Sequence, residues 1–176
     1  MSIELYTNRL YLRKVRLSDS LALFKIWSDP DVTRFMNITS FTTLNQAEEM
    51  IGLFKSLDQD NKAIRFTIIE LESGKIIGSC GFNYLDFEHE KAEIGYELSK
   101  AYWGRGYATE AIHSLLEYAF INLRLNRIEA KVVPQNLNSI KVLSKLNFKF
   151  EGTLRQSEKA QEKFHDINVY SLLKTD

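Results

Sequence analysis

Gly104 and Gly106 stand in the run YWGRGYATEA, Tyr102 to Ala111, at the junction between a strand-like and a helix-like stretch. Such a junction can hold an anion. The first amides of a helix have no partner within it, the helix dipole adds partial positive charge there, and glycines let the backbone approach a ligand closely. The chemistry suggested is the binding of a phosphate-bearing cofactor. Two common phosphate motifs fail: no G-x-x-x-x-G-K-[ST] string exists, and Thr109 stands where the dinucleotide fingerprint needs a third small residue. Cys80, the one cysteine, lies in the strand-like run IIGSCGF and reads as a buried, inert thiol that excludes an internal disulfide. His89, His113 and His165 are scattered, so no metal site is expected. Glu93 and Glu97 share a strand face by two-residue periodicity, with Glu129 on a nearby strand. A carboxylate closed in a cleft would gain basicity and could take a proton; otherwise each is an ordinary solvated or salt-bridged glutamate.

The elements that must position these residues follow from periodicity. AEIGYEL, Ala92 to Leu98, alternates as a strand, and the helix after the glycines carries Ala108, Ala111, Ile112, Leu115, Leu116, Ala119, Phe120 and Leu123 on one face. Upstream, Leu10–Val15 reads as the first strand. Ser18 or Asp19 then caps a helix carrying Leu21, Phe24 and Trp27, ending near Asp29-Pro30. Thr43 and Gln46 form a capping-box pattern ahead of Ala47, Met50, Ile51, Phe54 and Leu57. Arg65–Leu71 and Lys75–Phe82 read as strands joined by a turn at Glu72-Ser73-Gly74. Arg127–Val133 is a strand stopped by Pro134, Ser139–Leu146 a short helix, and Phe148–Gly152 and Ile167–Leu173 the last strands. That order predicts an α/β (α+β) fold, a mixed sheet with helices on its faces.

Composition narrows the function class. The 176 residues read as one domain, 1–176, with 44% hydrophobic and 26% charged residues, ordinary values for a folded chain. Lysine plus arginine balances aspartate plus glutamate at 23 each with no basic block, which argues against binding nucleic acid or an anionic membrane. No apolar run approaches about 18 residues, and MSIELYTNRL lacks a signal peptide's apolar core, so a soluble cytoplasmic protein is expected.

The segment LSKAYWGRGYATEAI, Leu98 to Ile112, resembles motif A of the GNAT superfamily of acetyl-CoA-dependent acyltransferases, [QR]-x-x-G-x-[GA]. Gly106-Tyr107-Ala108 supply the G-x-A, and Trp103 takes the Gln/Arg place, a departure typical of the RimJ/RimL-like protein N-terminal acetyltransferases. TNRLYLRKVRLSD, AEIGYEL, RIEAKVVPQNLNSIKVLSKLNFKFEG and DINVYSLL look like the same branch, in order along nearly the whole chain. The resemblance implies the GNAT (acyl-CoA N-acyltransferase) fold, with a mixed, mostly antiparallel central sheet and helices on both faces, and it implies that the amides of Gly104, Arg105, Gly106, Tyr107, Ala108 and Thr109 hold the pyrophosphate of coenzyme A. Arg105 adds a charge contact or stays solvated. It also implies that Tyr96, Glu97 and Leu98 offer backbone groups to pantetheine from a splayed strand, with Gly95 marking a bulge that opens the gap and a nearby N–H serving the thioester carbonyl. Asn136 and Asn138 match cofactor hydrogen-bonders, with helix capping the rival role.

Acetyl transfer also needs a proton for the departing thiolate. Many members use a tyrosine on the helix after Asn136, where this chain has Val142 and Leu143. The RimL-like branch implies Ser139 instead, which is otherwise a helix cap. Glu93 is the candidate base; the glutamate that some relatives use on the Arg127–Val133 strand corresponds here to Lys131, which speaks against that route. The acceptor is expected between the first helices and the C-terminal hairpin, with Asp166 attracting an amine or serving a turn, and Trp27, Phe35 and Phe41 lining that end or filling the core. The resemblance thus implies acetyl transfer by direct attack to a protein N-terminus of ribosomal-protein type. A small amine (polyamine, aminoglycoside or amino-acid conjugate) and a non-catalytic coenzyme A-binding module are the alternatives, and a homodimer is left open.

Overall fold

A computed structural model describes residues 3–176, so the first two residues of the run read for a leader lie outside it. Eight strands form one sheet: β1 (Glu4–Tyr6), β2 (Leu10–Lys14), β3 (Ile64–Glu70), β4 (Ile76–Asp86), β5 (Lys91–Leu98), β6 (Arg127–Val132), β7 (Lys149–Ala160) and β8 (Lys163–Leu173). Their order across the sheet is β1-β2-β3-β4-β5-β6-β8-β7. Every neighbouring pair is antiparallel except β5 with β6. A parallel pair needs a crossover, and α4 (Tyr107–Glu117) supplies it.

Register divides the side chains between two faces. On one face Leu12, Ile68, Phe66, Cys80, Phe82 and Ile94 pack with Ala111, Ile112 and Leu115 of α4 and with Leu143 of α5 (Leu137–Lys145). The other face is covered by α1 (Ser20–Trp27) and α3 (Leu44–Gln59), whose Leu23, Ile26, Trp27, Ala47 and Ile51 form a second core. Burying a Leu or Ile contributes about 1.5–3 kcal/mol each, which is why periodicity located these faces. In α4 the pattern overruns the regular helix. Residues Tyr118–Asn122 form a π-helical turn, with Leu123 N bonded to Tyr118 O at 3.0 Å, which keeps Ala119 buried and leaves Ile121 exposed.

Several expectations are corrected. Strand β1 and α2 (Pro30–Thr33) are too short to show periodicity. Pro30 opens α2 instead of only ending a helix, with Asp29 Oδ1 accepting from the Asp31 amide at 2.9 Å. The first helix begins at Ser20 after a 3-10 turn, Leu17–Asp19, and Leu21 faces solvent while Leu23 and Ile26 are buried. Asp19 is no surface cap. It is buried, accepting from the Arg16 amide at 2.9 Å, from Thr67 at 2.7 Å and from Arg13 through both oxygens. The last two strands make one long hairpin, and Asp166 accepts the Gln156 amide at 2.8 Å within its bulge. Asp166 thus lies within β8, facing the bulge of β7, and is not a turn residue.

Candidate active site

The glycine loop has the geometry of an anion cradle. Gly104 (φ 72°) and Gly106 (φ 80°) both lie in the left-handed region, and Gly106 is the N-cap of α4. A Cβ on Gly104 would meet nothing, so backbone conformation rather than crowding within the protein demands glycine there. The first helix-closing bond runs from Glu110 N to Gly106 O at 3.1 Å. Ahead of it, the six amides from Gly104 to Thr109 make no main-chain hydrogen bond among the described residues. The Tyr107 side chain turns inward, its hydroxyl donating to Glu70 and its ring beneath the Arg9 guanidinium at 4.1 Å, so only its main chain faces the loop.

Beside the loop the sheet opens. The β5–β6 ladder ends at Ile94↔Ala130, and residues 95–98 continue without a partner on that side. The bulge expected at Gly95 lies instead in β4, where Asn83 is the extra residue between Phe82 and Tyr84. Gly95 makes room for it: a Cβ would fall 2.4 Å from the Asn83 side chain. The indole of Trp103 donates to the Leu98 carbonyl at 2.9 Å, so this residue anchors the strand end to the glycine loop. One of that carbonyl's two acceptor positions is therefore filled.

A cleft of about 690 Å³ joins the opening to the loop. Tyr96, Glu97, Leu98, Gly104, Gly106, Tyr107, Ala108, Thr109, Asn136, Asn138 and Ser139 all line it. Arg105 and Glu93 do not. The Arg105 guanidinium lies 5.3 Å from the centroid of the Tyr102 ring, and Glu93 is ion-paired to Lys131 at 3.2 Å, the salt-bridged alternative. Glu97 spends its carboxylate within the protein, accepting from Trp27 Nε1 at 2.9 Å, from Ser79 and from buried Arg65. Asn136 is the cap of α5, its Oδ1 accepting from the Ser139 amide at 3.2 Å. Ser139 is therefore the third residue of the helix, and its hydroxyl accepts from Tyr96 Oη at 2.9 Å. Burial pushes the Tyr96 phenol up, partly countered by that bond.

Phe35 lines the cleft, whereas Trp27 and Phe41 pack edge to face in the core. Sequence reasoning missed Arg34 and Met36, which also line the cleft, and Lys141 and Lys145, one helical turn apart on α5. Cys80 is buried with its thiol pushed up to about 12 by desolvation, which leaves it inert. The arrangement can grip a pyrophosphate on amides, lay a thin chain against an open strand edge, and present a hydroxyl where the two meet.

Comparison with known proteins agrees with that chemistry. Residues 9–149 match the acetyltransferase (GNAT) domain family. The "Uncharacterized N-acetyltransferase p20" of Bacillus licheniformis is 50% identical over 172 residues, 98% of this chain and 97% of that protein. A ribosomal-protein-serine acetyltransferase of Escherichia coli is 30% identical over 97 residues, 55% of this chain and 54% of its own. The fold superposes on RimL, an L7/L12 alpha-N-protein acetyltransferase solved with coenzyme A, with a TM-score of 0.90 at 21% identity and full coverage of both chains.

Proposed function

The chain belongs to the GNAT acetyltransferase family and is an acetyl-CoA-dependent N-acetyltransferase; on that premise we propose that its acceptor is the N-terminal α-amine of a protein and that Ser139 supplies the proton to the leaving thiolate. The observation that carries the mechanism is the Ser139 hydroxyl, which lines the cleft between the splayed end of β5 and the glycine loop and is not used as a helix cap. The acceptor class rests on the E. coli relative and on Trp103 in the motif.

Acetyl-CoA, when bound, supplies an acetyl group activated as a thioester. The amides of Gly104, Gly106, Tyr107, Ala108 and Thr109 bind its pyrophosphate, with Lys141 and Lys145 adding charge along α5. The open edge of β5 at Tyr96 aligns the pantetheine arm and offers main-chain polarity to the thioester carbonyl, usually a large catalytic contribution. Ser139 gives its proton to sulfur as the amide forms, while the amine's proton leaves through the cleft mouth. Glu93 then has a structural duty, tying β5 to β6 through Lys131.

Ser139→Ala tests the assignment. General acids contribute about 10²–10⁴-fold, so kcat is expected to fall about 100-fold or more with little change in KM for acetyl-CoA. A wild-type kcat would remove Ser139 from the proton path.

A further inference from the structure

The alternation of β5 turns Tyr96 away from Glu93 and Glu97 and toward α5. Its hydroxyl donates to Ser139 Oγ at 2.9 Å across the cleft wall. The Ser139 amide is satisfied separately by Asn136, so the hydroxyl is free of capping duty. The next two turn-spaced positions on α5 are Val142 and Leu143, which carry no proton. A serine hydroxyl acting alone is a poor acid, because it would be left as an alkoxide. A phenol, even one pushed up by burial as Tyr96 is, remains a far better acid than an alkyl hydroxyl.

We propose that Tyr96 is a positioning residue for proton delivery, holding Ser139 with its own hydrogen turned to the cleft and replacing that hydrogen as it leaves. Each O–H bond broken is matched by a bond formed. The Ser139 O–H bond breaks as S–H forms, and the Tyr96 O–H bond breaks as a new Ser139 O–H forms. Tyr96 is left as phenolate and regains a proton from water in the cleft. Nothing is oxidised or reduced. The net result is one solvent proton delivered to the thiolate, while serine never carries the negative charge. In this chain the tyrosine that many members place on the helix has its counterpart on the strand opposite. The proposal rests on the acid role given to Ser139.

Single-turnover and steady-state rates of Tyr96→Phe, Ser139→Ala and the double variant, with acetyl-CoA and an N-terminal peptide, test it. The expected single-turnover loss for Tyr96→Phe is about 10- to 100-fold. KM for acetyl-CoA should stay within about twofold, and the double variant should be no slower than Ser139→Ala. Incorporating 3-fluorotyrosine at position 96 keeps shape and hydrogen bond, and should restore the rate to within several-fold of wild type even if phenylalanine disturbs packing. A full rate in Tyr96→Phe beside a slow Ser139→Ala would overturn the relay alone. Multiplicative losses in the double variant, or a fluorotyrosine enzyme as slow as the phenylalanine one, would do the same. A full rate in Ser139→Ala would overturn the acid assignment and the relay together.

Discussion

Gly106 shows how a single residue's backbone conformation becomes a binding property. At φ 80° it starts α4 and turns the following amides outward together. An L residue in that conformation costs about 1–2 kcal/mol, so Gly106→Ala is expected to lower stability by about that amount. It should also raise KM for acetyl-CoA several-fold with a smaller change in kcat; an unchanged KM would mean the amides do not bind the cofactor. The glycines were plain in the sequence because their type and position carry the signal. Tyr96 was placed correctly on the strand, but its hydroxyl was not foreseen, since the partner lies 43 residues away on another element. Asp166 and Gly95 were misread for a related reason: a bulge in the partner strand decides what each one does.

Among elements, the buried charges fasten α1 and its entry turn to the sheet. Glu97 holds Arg65, Ser79 and the Trp27 indole together, all of them buried. Removing one partner of a buried pair strands the other, so Glu97→Ala should cost about 3–5 kcal/mol in urea unfolding. Burial pushes the Asp19 carboxyl up, but hydrogen bonds from Arg13, Thr67 and the Arg16 amide outweigh it and hold it below the ordinary carboxylate range. Its contribution to stability is therefore present above the unfolded-state pKa and is lost as pH falls through the folded one. Asp19→Asn should make unfolding free energy less steep with pH across that acid range; an unchanged slope would contradict the assignment. Long elements such as α3, β5 and α4 were readable because burial repeats along them. The short α2 and the outer half of the last hairpin were not, because α2 spans four residues and much of β7 is solvent-exposed, which leaves little apolar pattern.

For the whole molecule, one topological fact organises function: the only parallel pair among the described strands, β5 and β6, is also the pair that separates. The crossover helix α4 begins at that opening, so the anion cradle and the free strand edge share one cleft. Element order alone predicted a mixed sheet, but the separation of two neighbouring strands leaves no periodic trace and entered only through family resemblance. Binding to the native state alone should raise stability by about 2.7 kcal/mol at one hundred times Kd, so acetyl-CoA is expected to raise the melting temperature and Gly106→Ala to blunt that rise. The most direct measurement follows acetyl transfer from acetyl-CoA by mass spectrometry, with fragmentation locating the acetyl group. Its substrates are peptides with a free N-terminus, the same peptides N-terminally blocked but bearing lysine, and a panel of polyamines and aminoglycosides. A protein N-terminal acetyltransferase puts a single acetyl group on the free α-amine and none on the blocked peptides, whereas turnover confined to the small amines, or tight binding of acetyl-CoA with no turnover on any amine, would rule that acceptor out.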